Sequence, residues 1–241
     1  MNTPHKYLLT ALALVPALVG AQTILIDFGD ELTQTTGLAD TWNNAHLGLV
    51  AAGDTGTLFA DLMDSTNTST GITLSITNAF DGRNANGFGS SGFNTGGTAP
   101  YPTGATQDSF YTATSTASVT PGDGLGIFEF TGLDVTKSYV FTIYGSRDAT
   151  NNRETEYALT GGNSDTVFLN TASNISETVT ASGITPTAGG VITLAVQAGP
   201  NNESDFSYIG AVEIAVIPEP SAMALLIATM ATGLVILRRR K

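Results

Sequence analysis

The sequence predicts an all-β chain, an antiparallel, jelly-roll-like β-sandwich set between an N-terminal signal helix and a single C-terminal transmembrane helix. Three observations lead there. From Leu125 onward, short runs of strand-forming residues recur at regular spacing, with glycine-rich turns between them and little helical periodicity. Cysteine is absent, so residues 22–217 depend on a packed core rather than on disulfides, and they are numerous enough to bury one. Long charge-free apolar stretches lie at both ends of the chain, outside the strand-patterned region.

Residues 1–21 read as a secretory signal peptide: His5 and Lys6 form a weakly basic start, Tyr7 to Val19 an apolar stretch, and Val19-Gly20-Ala21 a small-residue cleavage site. The exported domain spans 22–217. Thr23-Ile24-Leu25-Ile26-Asp27-Phe28-Gly29 is β-rich, closed by glycine, and predicts a first core strand. Asp30 to Asn44 is polar and predicts a loop carrying Trp42, the only tryptophan. Leu47 to Ala52 and Leu58 to Met63 are short apolar runs, and Gly71 to Thr77 alternates as a half-buried strand. Residues 80–106 are crowded with Gly, Asn and Ser and predict one long loop. Asp108 to Ala113 fits a short helix or a strand.

Further strands are predicted at Gly126–Phe130, Ser138–Ser146, Thr155–Thr160, Asp165–Leu169, Ile175–Ala181, Val191–Val196 and Tyr208–Val216. Val140, Ile143, Ile192, Leu194, Val196, Ile209, Val212 and Ile214 are expected to face the core. First and last strands, both strongly apolar, are expected to pair or neighbour each other. Phe130-Thr131-Gly132-Leu133-Asp134, Tyr139 to Arg147 and Tyr208 to Ile214 together resemble the galactose-binding-like sandwich of carbohydrate-binding modules. The resemblance implies a sandwich and a glycan as ligand class, and it assigns no binding residue.

The exported part carries four cations, Arg83, Lys137, Arg147 and Arg153, against 20 acids, a net charge of about −16. Such a surface repels nucleic acid and anionic lipid, and suits cations, neutral glycans or solubility. Thiol catalysis and Cys-based zinc sites are excluded. Of the two histidines, His5 belongs to the leader and His46 has no evident partner, so a Ser-His-Asp site has no support. Acids are plentiful, yet none sits in an apolar context that would shift its pKa for acid/base work. Glu154 and Glu156, beside Arg153, read as exposed charges. A non-enzymatic protein without cofactor is expected.

Three ligand candidates follow from residue chemistry. Arg147, Asn151, Asn152 and Arg153, in the polar loop between two strands, offer planar multi-donor groups for sugar hydroxyls or carboxylates; a solvated hairpin is the alternative. Trp42, beside Asn43 and Asn44, either stacks a sugar ring or plugs one end of the core. Asn201, Asn202, Glu203 and Asp205 cluster in one turn, with Asp27 and Glu213 on the terminal strands, and offer oxygens for a structural calcium ion or simply serve the turn.

The tail supplies an address. Ser221 to Leu237 holds no charge, and as a helix spans roughly 26 Å, close to a bilayer's hydrocarbon thickness. Arg238, Arg239, Arg240 and Lys241 follow, a cluster that stays cytoplasmic and leaves the preceding domain outside. Pro218-Glu219-Pro220 lies just outside the membrane as an extended, unpaired segment. Residues 217–241 resemble the PEP-CTERM sorting signal of Gram-negative bacteria, with all three parts in order. The resemblance implies an exosortase as partner, a sorting role for Pro218, Glu219 and Pro220, membrane lipid contact through the helix, then tail removal and delivery to the cell surface or its exopolysaccharide matrix.

Overall fold

Fourteen strands and one short helix account for the regular structure of the described residues, which in this computed structural model are 22–30, 32, 34–46, 48–84, 100–114 and 122–217. The leader at 1–21 and the whole tail, with Pro218, Glu219, Pro220, the apolar stretch and the basic end, lie outside the described residues. No helix among the described residues is long and apolar enough to cross a membrane.

In chain order the strands are β1 (Thr23–Gly29), β2 (Trp42–His46), β3 (Gly56–Phe59), β4 (Thr73–Asn78) and β5 (Gly82–Asn84). Helix α1 (Thr103–Thr106) precedes β6 (Ser109–Ala113) and β7 (Leu125–Thr131). Then come β8 (Ser138–Tyr144), β9 (Glu154–Thr160), β10 (Ser164–Asn170), β11 (Val179–Ile184), β12 (Ile192–Ala198), β13 (Phe206–Ile209) and β14 (Ala211–Ile217). A five-stranded sheet runs β11-β8-β14-β1-β2, a six-stranded sheet β10-β9-β12-β7-β4-β3, and a three-stranded sheet β13-β6-β5.

Alternation explains the two large sheets. Along β7 and β12 every second residue is buried, among them Phe128, Phe130, Ile192, Leu194 and Val196, while Glu129 and Thr193 face away. Opposite them Ile24, Ile26, Phe141, Ile143, Val212 and Ile214 join the same core. First and last strands do pair: Ile24 lies against Ile214 and Ile26 against Val212 in antiparallel register.

Several expectations need correction. The predicted loop at Asp30–Asn44 ends in β2, which pairs parallel to β1 with Leu25 beside Trp42, so the sandwich is not wholly antiparallel. Asn43 and Asn44 disguise this strand, because asparagine is a poor strand former. Here their amides replace missing backbone partners: Asn43 Nδ2 donates to the carbonyls of Leu25 (3.0 Å) and Met63 (2.8 Å), and Asn44 Oδ1 accepts the Thr35 N–H at 2.6 Å. The predicted 80–106 loop contributes β5 and α1, while 85–99 lies outside the described residues. Val140 is only half-buried, and Tyr139 and Phe141 take the core side of β8. The strand expected at Ile175–Ala181 begins at Val179, because Asn174 holds a turn by accepting the N–H groups of Ser176 and Glu177.

The last predicted strand divides at Gly210. Residues before it, in β13, pair with β6, and residues after it, in β14, lie between β1 and β8. Gly210 bridges the change, its N–H donating to Tyr144 O and its carbonyl accepting from Phe28 N–H.

Candidate functional site

The small sheet gathers aromatic side chains that are far apart in the sequence. Tyr208 on β13 lies directly opposite Tyr111 on β6, which lies opposite Gly82 on β5. Ring centroids of Tyr111 and Tyr208 are 6.4 Å apart, those of Tyr111 and Phe206 5.8 Å, and Phe206 and Tyr208 are nearly parallel at 14°. Gly82 lets the Tyr111 ring rest against the strand, since a Cβ there would come within 2.7 Å of the Tyr111 hydroxyl. Tyr111 and Phe206 are half-buried, presenting part of each ring to solvent, whereas Tyr208 is 4% exposed.

Guanidiniums edge this face. Arg153 lies over the Phe206 ring with Cζ 5.5 Å from its centroid, a cation–π geometry. Its Nε donates to Asn151 Oδ1 at 3.0 Å and its Nη1 to the Tyr208 hydroxyl at 3.4 Å. Arg147 donates from Nη1 to Asn84 Oδ1 at 2.7 Å, which ties the 147–153 loop to β5. Burial pushes the Tyr208 phenol above its ordinary value, and the charges of Arg153 and Arg147 pull the other way. Burial followed by the charge of Asp81 raises that of Tyr111. Both phenols therefore stay neutral donors at physiological pH.

Of the loop residues singled out in the sequence, Arg147, Asn151 and Arg153 come together beside this face. Asn152 does not: its N–H donates to Glu203 Oε2 at 2.9 Å, and its side-chain oxygen is buried without a hydrogen-bond partner. Trp42 is remote from them. It belongs to a second cluster with Leu25, Ala105, Tyr144 and Ala211 on the outer side of the five-stranded sheet, under Tyr101 and α1.

The turn proposed for calcium adjoins the 147–153 loop, and its oxygens and amides serve hydrogen bonds. Asn201 donates to both carboxylate oxygens of Glu154. Asn202 Nδ2 donates to the carbonyls of Glu154 and Phe206, each at 2.8 Å, while its Oδ1 accepts from Ser204 N–H. Glu203 binds the backbone of Asn152, and Asp205 adopts a left-handed φ of 63°. No group of three or more His, Cys, Asp or Glu side chains is placed to hold a metal among the described residues.

One expectation about the acids is overturned. Asp27 and Asp108 are 3% and 1% exposed and lie together behind the C-terminal end of β1. Burial, then the Asp108 charge, pushes the Asp27 carboxyl up to about 8. A buried carboxylate pair with a shifted Asp27 therefore exists, away from solvent.

No protein-family model matches the chain, and no curated protein matches it. Three solved structures show a partial likeness. TmCBM61, a carbohydrate-binding module in complex with β-1,4-galactotriose, matches at 14% identity and a TM-score of 0.31, over 62% of this chain and 90% of that one. An F5/8 type C domain from Bacteroides fragilis matches at 10% identity and a TM-score of 0.30, over 67% and 97%. An exo-β-1,3-galactanase from Phanerochaete chrysosporium matches at 13% identity and a TM-score of 0.28, over 46% of this chain and 23% of that one.

Proposed function

We propose that the domain is a non-catalytic glycan-binding module of an exported protein, sorted by its C-terminal signal to the cell surface or the exopolysaccharide matrix. The aromatic face of β13-β6-β5 carries the reading. Half-exposed rings accept the C–H faces of sugars, and fixed guanidinium and amide donors beside them suit sugar hydroxyls. A domain of about −16 charge favours a neutral glycan over a polyanion. Structural calcium at Asn201–Asp205 is not required by this reading.

Glycan-array binding of the purified full-length protein, with and without calcium, tests it. Tyr111→Ala is expected to weaken the best binder by up to about tenfold, the upper range for one aromatic contact, in a protein that still unfolds cooperatively. If no glycan binds, the domain is a structural or adhesive component instead. Sorting has its own measurement. In cells, Glu219→Ala is expected to leave the tail uncut and the protein in the membrane fraction; unaltered processing would remove Pro218-Glu219-Pro220 from the account.

A further inference from the structure

On the outer side of the five-stranded sheet, between β1, β2, β14 and the 100–102 segment, lies an open cavity of about 380 Å³, within the size range of small-molecule sites. Its apolar walls include Leu38, Trp42, Tyr101 and Pro102, and its charged groups are Asp40 and Glu213. Among the described residues no Lys, Arg or His lines it. Trp42 and Tyr101 meet edge to face with centroids 5.6 Å apart, forming an aromatic corner. The Tyr101 hydroxyl donates to Glu213 Oε2 at 3.3 Å, so one carboxylate is held at that corner. Burial, then the Glu213 charge, raises the Tyr101 phenol, which keeps its proton and its role as donor.

Two carboxylates in a half-apolar cavity, with no cation among the described lining residues, favour a positively charged ligand. An anion is repelled, and a neutral sugar, whose hydroxyls can donate to the carboxylates, leaves their two negative charges uncompensated. A calcium ion wants six to eight oxygens, more than Asp40, Glu213 and the hydroxyls of Thr23 and Ser65 supply. An organic ammonium satisfies both halves: its charge meets the carboxylates and its body meets the rings. We propose that this cavity is a second ligand site, specific for an amino sugar bearing a free ammonium group. A hexosamine presents a broad C–H face to the corner formed by Trp42 and Tyr101 together with one positive charge, whereas a lysine side chain presents only a thin methylene stem. This site lies on a different sheet from the aromatic face and does not depend on it.

Trp42, as the only tryptophan, reports directly on occupancy. The full-length protein is titrated at about pH 5.5, where the glucosamine amines are protonated, with a β-1,4-linked glucosamine tetramer, its fully N-acetylated counterpart and Nα-acetyl-lysine methylamide, following Trp42 emission. A saturable change with the glucosamine tetramer is expected, with both comparison ligands at least about tenfold weaker. Glu213→Gln, which keeps shape and the Tyr101 bond, is expected to weaken the tetramer about tenfold, as is Asp40→Asn at the exposed side of the cavity. Asp165→Asn, the same charge change on exposed β10, is expected to stay within about twofold of the wild type. Absence of a Trp42 response overturns the proposal. So does equal binding of the N-acetylated tetramer or of the lysine derivative, or an equal loss in Asp165→Asn, which would mark bulk attraction of a polycation.

Discussion

Asp27→Asn is expected to abolish most of the protein's loss of stability between about pH 4 and pH 8. Asp27 sits on β1 with 3% exposure, its Oδ2 accepting the Thr35 N–H at 3.0 Å and its Oδ1 buried without a hydrogen-bond partner. Asp108, on the segment before β6, accepts the Asp30 N–H at 2.6 Å. The other charges nearby, Asp30 and Arg83, are paired with each other at 2.6 Å. Burial, then Asp108, lifts the Asp27 carboxyl from 3.8 to about 8. Across that interval the folded chain holds a proton that the unfolded chain has released. Stability therefore falls as pH rises through the window, at up to about 1.4 kcal/mol per pH unit, and levels off above it. Asparagine reproduces the neutral acid at every pH. Urea unfolding at pH 5, 7 and 9 measures the effect: the wild-type midpoint should decline across the series while the variant's stays level. Parallel declines would show that another group is responsible.

Phe128→Ala is expected to cost about 3–5 kcal/mol, the usual range for emptying a buried phenylalanine site. Phe128 is fully buried, with ring centroids 4.4 Å from Phe28, 4.5 Å from Phe80 and 6.3 Å from Phe110. These rings come from β1, from the segment before β5, and from β6, so one side chain on β7 touches contributions to all three sheets. Removing it leaves a void that no single sheet can close by shifting. Phe168→Ala on β10, where the ring is 43% exposed, is the matched control and should stay within about 0.5 kcal/mol. A similar midpoint for the two variants would mean that the aromatic cluster does not join the sheets energetically.

Strands with clean alternation were legible because their period mirrors the core directly, as in β7 and β12. β2 was not, since its polar amides act as substitutes for backbone partners, a role set by neighbours rather than by propensity. The loop holding Arg147 and Arg153 stood out by composition, but the rings it edges did not. Tyr111 and Tyr208 lie 97 residues apart and meet only through the pairing of β6 with β13. Asp27 and Asp108 are likewise brought together by chain paths that no local pattern records. Gly210 looked like an ordinary glycine within a strand, because leaving one sheet for another requires knowing what lies on both sides.

On the glycan-binding and sorting reading proposed above, that crossing at Gly210 would put the binding face and the tail on one line of mechanical loading. Phe206 and Tyr208 stand eleven and nine residues upstream of Ile217, along one nearly continuous extended segment. Tension applied between a polymer held on that face and an attachment beyond Ile217 would run along β14. There the load would pass along the covalent backbone of one already extended strand, so the hydrogen bonds to β1 and β8 would not have to yield for the force to be carried.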